Sequence, residues 1–208
     1  MSSEKRLAFV LAINLAMVLS LVLVGLLARS LGVLASGADY VGDAFGTGLS
    51  LAALRLSASA RAHPRVRSQA ALVNSSLLLL VTLAVAAEAI RRLSTGAPSV
   101  NGFPVVIVSV VAALAMIACA LILGDIEGDL SMQSVMLDTV ADAAAAIGVA
   151  LSGAIILLTH GVYWLDSAIA LAIAVVVGYH ALMLMRRVLK SLSRTRVDRP
   201  SAPRSRGL

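Results

Sequence analysis

Four aspartates stand inside two oily segments of a 208-residue chain: Asp39 and Asp43 in one, Asp138 and Asp142 in another. Both pairs have the spacing D-x-x-x-D. Residues four apart on an α-helix lie one turn above each other on the same face, so each segment directs two carboxylates one way. A charge at a bilayer centre costs about 2.5–3.5 kcal/mol on insertion scales. Repeating that cost on two segments with the same spacing points to a shared use, and oxygen ligands of this kind suit a divalent cation. Either pair alone could be a helix cap or a solvated acid at the membrane surface; the repetition argues against both.

The other acidic residues have simpler readings. Glu88 lies three and four residues before Arg91 and Arg92, a spacing that pairs them on one helix. Asp166 opens the last apolar segment, where an acid complements a helix N-terminus. Asp125, Glu127 and Asp129 share a short loop; they are solvated or gather cations at a mouth. Glu4 and Asp198 sit in the ends. No Lys or Arg stands at comparable depth in any span to neutralise the two pairs. His63, His160 and His180 are isolated and none is read as a ligand, and Cys119 is read as core.

The elements that must hold these carboxylates are transmembrane helices. Apolar residues make up 60% of the chain and mean hydropathy is +0.96, a composition that excludes an ordinary soluble domain. Six stretches are long enough to cross a bilayer, at about 7–28, 33–54, 69–90, 103–123, 132–158 and 162–185. The lead Met1–Arg6 resembles the start of a signal peptide, but the apolar run is too long and lacks a clean cleavage site, so it is read as a retained helix. The expected fold is all-α: a polytopic membrane protein with six transmembrane helices. A single cysteine excludes a disulfide framework and a thiolate metal cage within one chain.

Orientation follows from the basic residues. With both termini in the cytoplasm, fourteen of the seventeen Lys and Arg fall inside, and only Arg29, Arg91 and Arg92 fall outside. The net charge of +6 is thereby used by topology and does not call for nucleic acid. The expected organisation is a transport domain over 1–190 and a basic, disordered cytoplasmic tail over 191–208 that lies on anionic headgroups, with no second domain after it.

In order and spacing the chain resembles the cation diffusion facilitator family. The match is carried by Asn14, Gly25, Ser30-Leu31, Leu34-Ala35, Asp39 and Asp43. It continues through Arg65, Ala70 to Asn74, and Glu88 to Leu93. It closes on Met136-Leu137-Asp138, Asp142 and Trp164-Leu165-Asp166. The resemblance covers nearly all of residues 10 to 192. It implies a six-helix, proton-coupled exporter of zinc or related metals in a cell membrane, the bacterial inner membrane foremost, with a homodimer as the usual assembly. It further implies that Asp39, Asp43, Asp138 and Asp142 are the ligands of one tetrahedral site.

The chain departs from the family pattern in three ways. Zinc members usually carry His where Asp138 stands, and many also where Asp39 stands. Arg67 replaces an acidic residue common before the third helix. The family's cytoplasmic C-terminal domain, which supports dimerisation and metal sensing, is expected to be absent after the basic tail.

Carboxylates suit manganese better than imidazole does, yet zinc accepts them, so both metals are expected cargo, with iron, cobalt and cadmium possible; magnesium holds its waters too tightly. Four close carboxylates cannot all stay ionised while empty, so protons and metal compete for one cluster. That competition is metal/proton exchange with no resident cofactor and no catalytic group. Gly42, Gly46 and Gly48, with Ala143 to Ala146, offer thin surfaces for helices to slide or simply to pack. The rival readings are a passive cation channel and two membrane enzymes. A metal-dependent phosphotransferase needs a longer acidic motif, and an intramembrane aspartyl protease needs a Gly-x-Gly-Asp setting; neither is present.

Overall fold

The computed structural model describes residues 3–57, 64–124 and 130–197, with side-chain surroundings within 4–48, 51–52, 72–122 and 142–190. Every regular element in it is helical: α1 (Ser3–Ala28), α2 (Leu31–Ser57), α3 (Pro64–Thr95), α4 (Gly102–Gly124), α5 (Leu130–Thr159) and α6 (Trp164–Val197). Each expected span has its helix. The sixth continues past residue 190 to Val197, so the first part of the expected disordered tail is helix, and 198–208 lie outside the described residues. Of the arginine-rich connection, Arg55 falls in α2 and Arg65 and Arg67 in α3, while 58–63 and the acidic loop of Asp125, Glu127 and Asp129 lie outside the described residues.

Among the described residues, five helices are long and apolar enough to cross a membrane, and α2 is not among them. The reason is its composition, with Asp39 and Asp43 among five glycines and several hydroxyls from Leu31 to Gly48. A helix of that kind can sit at membrane depth only if protein rather than lipid surrounds it. It does: α2 contacts each of the other five helices, and among the described residues no other helix does so. From Ser30 to Tyr40 all but two of its positions are buried. The most extensive pairings among the remaining helices are α3 with α6 and α4 with α5, while α1 lies along α2.

Small residues set these approaches. A Cβ on Gly25 would meet the Leu34 side chain at 2.8 Å, and one on Gly37 would meet Leu21 Cβ at 3.3 Å, so α1 and α2 touch nearly backbone to backbone. A Cβ on Gly153 would lie 2.7 Å from Val105 Cγ1, and one on Gly102 would collide with the Gly153 carbonyl, which brings α4 and α5 together in the same way. Exposed Leu, Val and Ile side chains such as Leu19, Leu27, Leu80, Leu121 and Leu158 cover the outside, as a lipid-facing surface requires.

The turn between α1 and α2 is built without glycine. Arg29 takes a left-handed backbone conformation at φ 58°. The Ser30 N–H reaches back to the Gly25 carbonyl at 3.0 Å and the Arg29 N–H to Leu26 at 3.3 Å, the paired bonds of a Schellman helix end. Ser30 then caps α2, its hydroxyl accepting from the Val33 N–H at 3.1 Å.

Because α4 and α5 meet at Gly153, Gly153→Val is expected to cost about 1–3 kcal/mol by overpacking. The measurement is the thermal unfolding midpoint in detergent, which falls in the variant.

Candidate metal centre

Asp39 and Asp43 occupy successive turns of α2 and are half-buried. Tyr40, next to Asp39, is 3% exposed and donates its hydroxyl to the Ala112 carbonyl of α4 at 2.6 Å. That bond locks the rotation of α2 against α4 at the depth of the aspartates. Asp142 is half-buried on α5, a helix that touches α2. Asp39, Asp43 and Asp142 each interact with neighbouring groups.

Tyr40 lies within charge range of Asp43, Cys119, Asp142 and Asp39, so groups from α2, α4 and α5 share the field around one buried phenol. Asp138 belongs to α5 by its backbone, and its side chain is outside the described residues. Among the described residues no three His, Cys, Asp or Glu side chains gather into a metal-ligating group. Cys119 is a free, buried thiol on α4, near enough to Asp43 to feel its charge.

The other polar residues sort as follows. Glu88 accepts from Arg91 at 2.6 and 2.7 Å and from Arg92 at 2.9 Å, the pairing that the spacing predicts. His160 is exposed, with a positive φ, and His180 is exposed on α6. Asp166 stands in the first turn of α6, as expected. It also does what sequence reasoning missed: it accepts hydrogen bonds from the start of α2, more than 130 residues earlier. Tyr40 was missed too. The usable signal was a phenol inside an oily helix, since a buried tyrosine hydroxyl seeks a partner.

Two apolar grooves of about 550 and 630 Å³ flank α2 between α1 and α3, sharing Val41 and Leu77. Among the described residues, Asp39, Asp43 and Asp142 line neither groove.

A family model described as the cation efflux transmembrane domain matches residues 7–193. The chain belongs to the cation efflux family. Zinc transporter ZitB of Yersinia pseudotuberculosis is 27% identical over 200 residues, covering 92% of this chain and 63% of its own length. ZitB of Pectobacterium atrosepticum is 28% identical over 198 residues, covering 91% and 61%. A cadmium, cobalt and zinc/H(+)-K(+) antiporter of Bacillus velezensis is 28% identical over 168 residues, covering 75% and 53%. The chain thus spans between about half and two thirds of the length of these relatives. Family membership makes it a multi-pass membrane protein of a cation transporter family.

The Tyr40 bond to Ala112 is a testable part of this geometry. Tyr40→Phe is expected to lower stability by about 0.5–1.5 kcal/mol, read as a lower unfolding midpoint in detergent.

Proposed function

We propose that this protein exports divalent transition-metal ions in exchange for protons, through a site formed by Asp39, Asp43, Asp138 and Asp142. The observation that supports it best is that Asp39 and Asp43 stand on the helix in contact with all five others, with Asp39, Asp43 and Asp142 all within charge range of Tyr40. Asp138 lies one turn from Asp142 on α5, so the same helix can bring a fourth carboxylate. The printed names of the relatives speak for zinc, cadmium and cobalt as cargo and for antiport. The carboxylate donors keep manganese beside zinc.

The exchange follows from charge. An empty cluster retains protons because crowded, shielded carboxylates repel one another when ionised. A metal ion entering from the cytoplasm displaces those protons, and protons entering from the other side displace the metal. The protons are a property of the cluster rather than of one residue. Rocking of the helices would expose the cluster to one face at a time.

With both termini cytoplasmic, the Ser30, Thr95, Gly102 and Trp164 ends of the helices face outward. Residues 1–190 form the transport domain, the basic tail lies on the inner leaflet, and the working assembly is a homodimer.

Asp43→Ala and Asp142→Ala are each expected to abolish metal uptake by proteoliposomes while the purified protein stays monodisperse. Undiminished flux in either variant defeats the proposal. Zinc, manganese, iron, cobalt and cadmium are to be compared at two pH gradients. Flux that follows the gradient supports exchange, and flux indifferent to it identifies a passive channel.

A further inference from the structure

We propose that Asp166 of α6 is the positioning residue for the aspartate helix. It would set the depth and rotation of α2, and so the place of Asp39 and Asp43; this rests on the four-aspartate reading above.

Asp166 has no solvent exposure and Ser30 has none. The carboxylate accepts from the Ser30 hydroxyl at 2.5 Å, from the Leu31 N–H at 2.7 Å and from the Gly32 N–H at 3.2 Å. Together with the bond from the Val33 N–H to Ser30 Oγ, every orphan amide at the start of α2 is accounted for. These amides would otherwise be unsatisfied donors in a buried setting, and their aligned dipoles favour an anion at this end. One carboxylate bound to two successive amides and to the cap fixes more than position along the axis. A slip of one residue turns a helix by about 100° and would aim the aspartates elsewhere.

The fit around this contact is close. A Cβ on Gly32 would lie 3.0 Å from Asp166 Oδ1 and 3.3 Å from Val149 of α5. The same end is tied from two more sides. Arg92 of α3 donates to the Arg29 carbonyl at 2.8 Å, and the Asn101 N–H, just before α4, donates to the Ala28 carbonyl at 3.1 Å. Among the described residues, the charged group facing Asp166 from a neighbouring element is Arg92, whose own guanidinium is held by Glu88. Asp39 stands about 12 Å further along the helix axis. The anchor is thus separate from the metal ligands, yet rigidly connected to them by two turns of helix.

The test is zinc uptake by proteoliposomes loaded with matched amounts of monodisperse protein, for the parent, Asp166→Asn, Asp166→Glu, Ser30→Ala and Asp43→Asn. Loss of positioning is expected to raise the apparent KM for zinc in Asp166→Asn by about tenfold, the scale found when groups that orient metal ligands are removed. Asp166→Glu is expected to recover part of that change, and Ser30→Ala, which keeps the charge, to show a smaller rise. If Asp166→Asn yields no monodisperse protein, the Ser30→Ala rise decides the matter. A fall in maximal flux at unchanged KM would mean that Asp166 merely stabilises the fold, and would overturn the proposal, as would parent-like kinetics in both Asp166→Asn and Ser30→Ala. Parent-like flux in Asp43→Asn would sink the site reading and this inference with it. Lost flux in Asp43→Asn beside parent-like Asp166→Asn would sink only the positioning role.

Discussion

Carboxylates at membrane depth must be kept from lipid, and the bundle is arranged around that constraint. A helix with two exposed aspartates would face an insertion cost of several kcal/mol. Here the helix that bears them is the one in contact with all the others. The five helices with lipid-compatible compositions form the outer layer. The helix that carries Asp39 and Asp43 at membrane depth is therefore the most central one among the described residues, the reverse of a water-soluble bundle, in which charged faces point out.

Centrality demands thinness. Lipid tails offer no hydrophobic drive for helices to associate, so packing must come from close contact. Gly25, Gly32 and Gly37 bring α1, α5 and α6 against α2 at distances that a Cβ would not permit without movement. Hydroxyl groups complete the contacts where backbone approaches backbone. The Tyr40 phenol reaches a carbonyl of α4, and the Ser30 hydroxyl meets a carboxylate of α6. Each bond joins two helices at a level where no water competes for it, which raises the penalty for breaking it.

The helices and their order were legible in the sequence because apolar runs of this length have one physical meaning in a chain so poor in charge. The pairing of Glu88 with Arg91 and Arg92 was legible for a similar reason, since helical periodicity alone brings the groups together. What escaped were contacts between distant segments. Asp166 reads as a local helix-start acid, and it is one, but its hydrogen bonds go to α2. No local rule pairs Asp166 with Ser30 across 136 positions. The two-pair motif was visible, while the part played by Tyr40 depends on the register between α2 and α4. That register is fixed by packing rather than by either sequence alone. The helical continuation of α6 to Val197 also went against composition: Ser191 to Val197 is rich in Ser, Thr and Arg, yet adding residues to a helix already nucleated by packing costs far less than starting one.

The ties at the Ser30 end bear on how such a bundle can move. There, Asp166, Arg92 and Asn101 hold the turn and the first amides of α2 from three directions. Sliding α2 along its axis would break several of these hydrogen bonds at once, whereas a small tilt about this end strains them less. The aspartates stand about two and three turns further along the helix, close enough to this end to be placed by it and far enough from it to be displaced by a tilt.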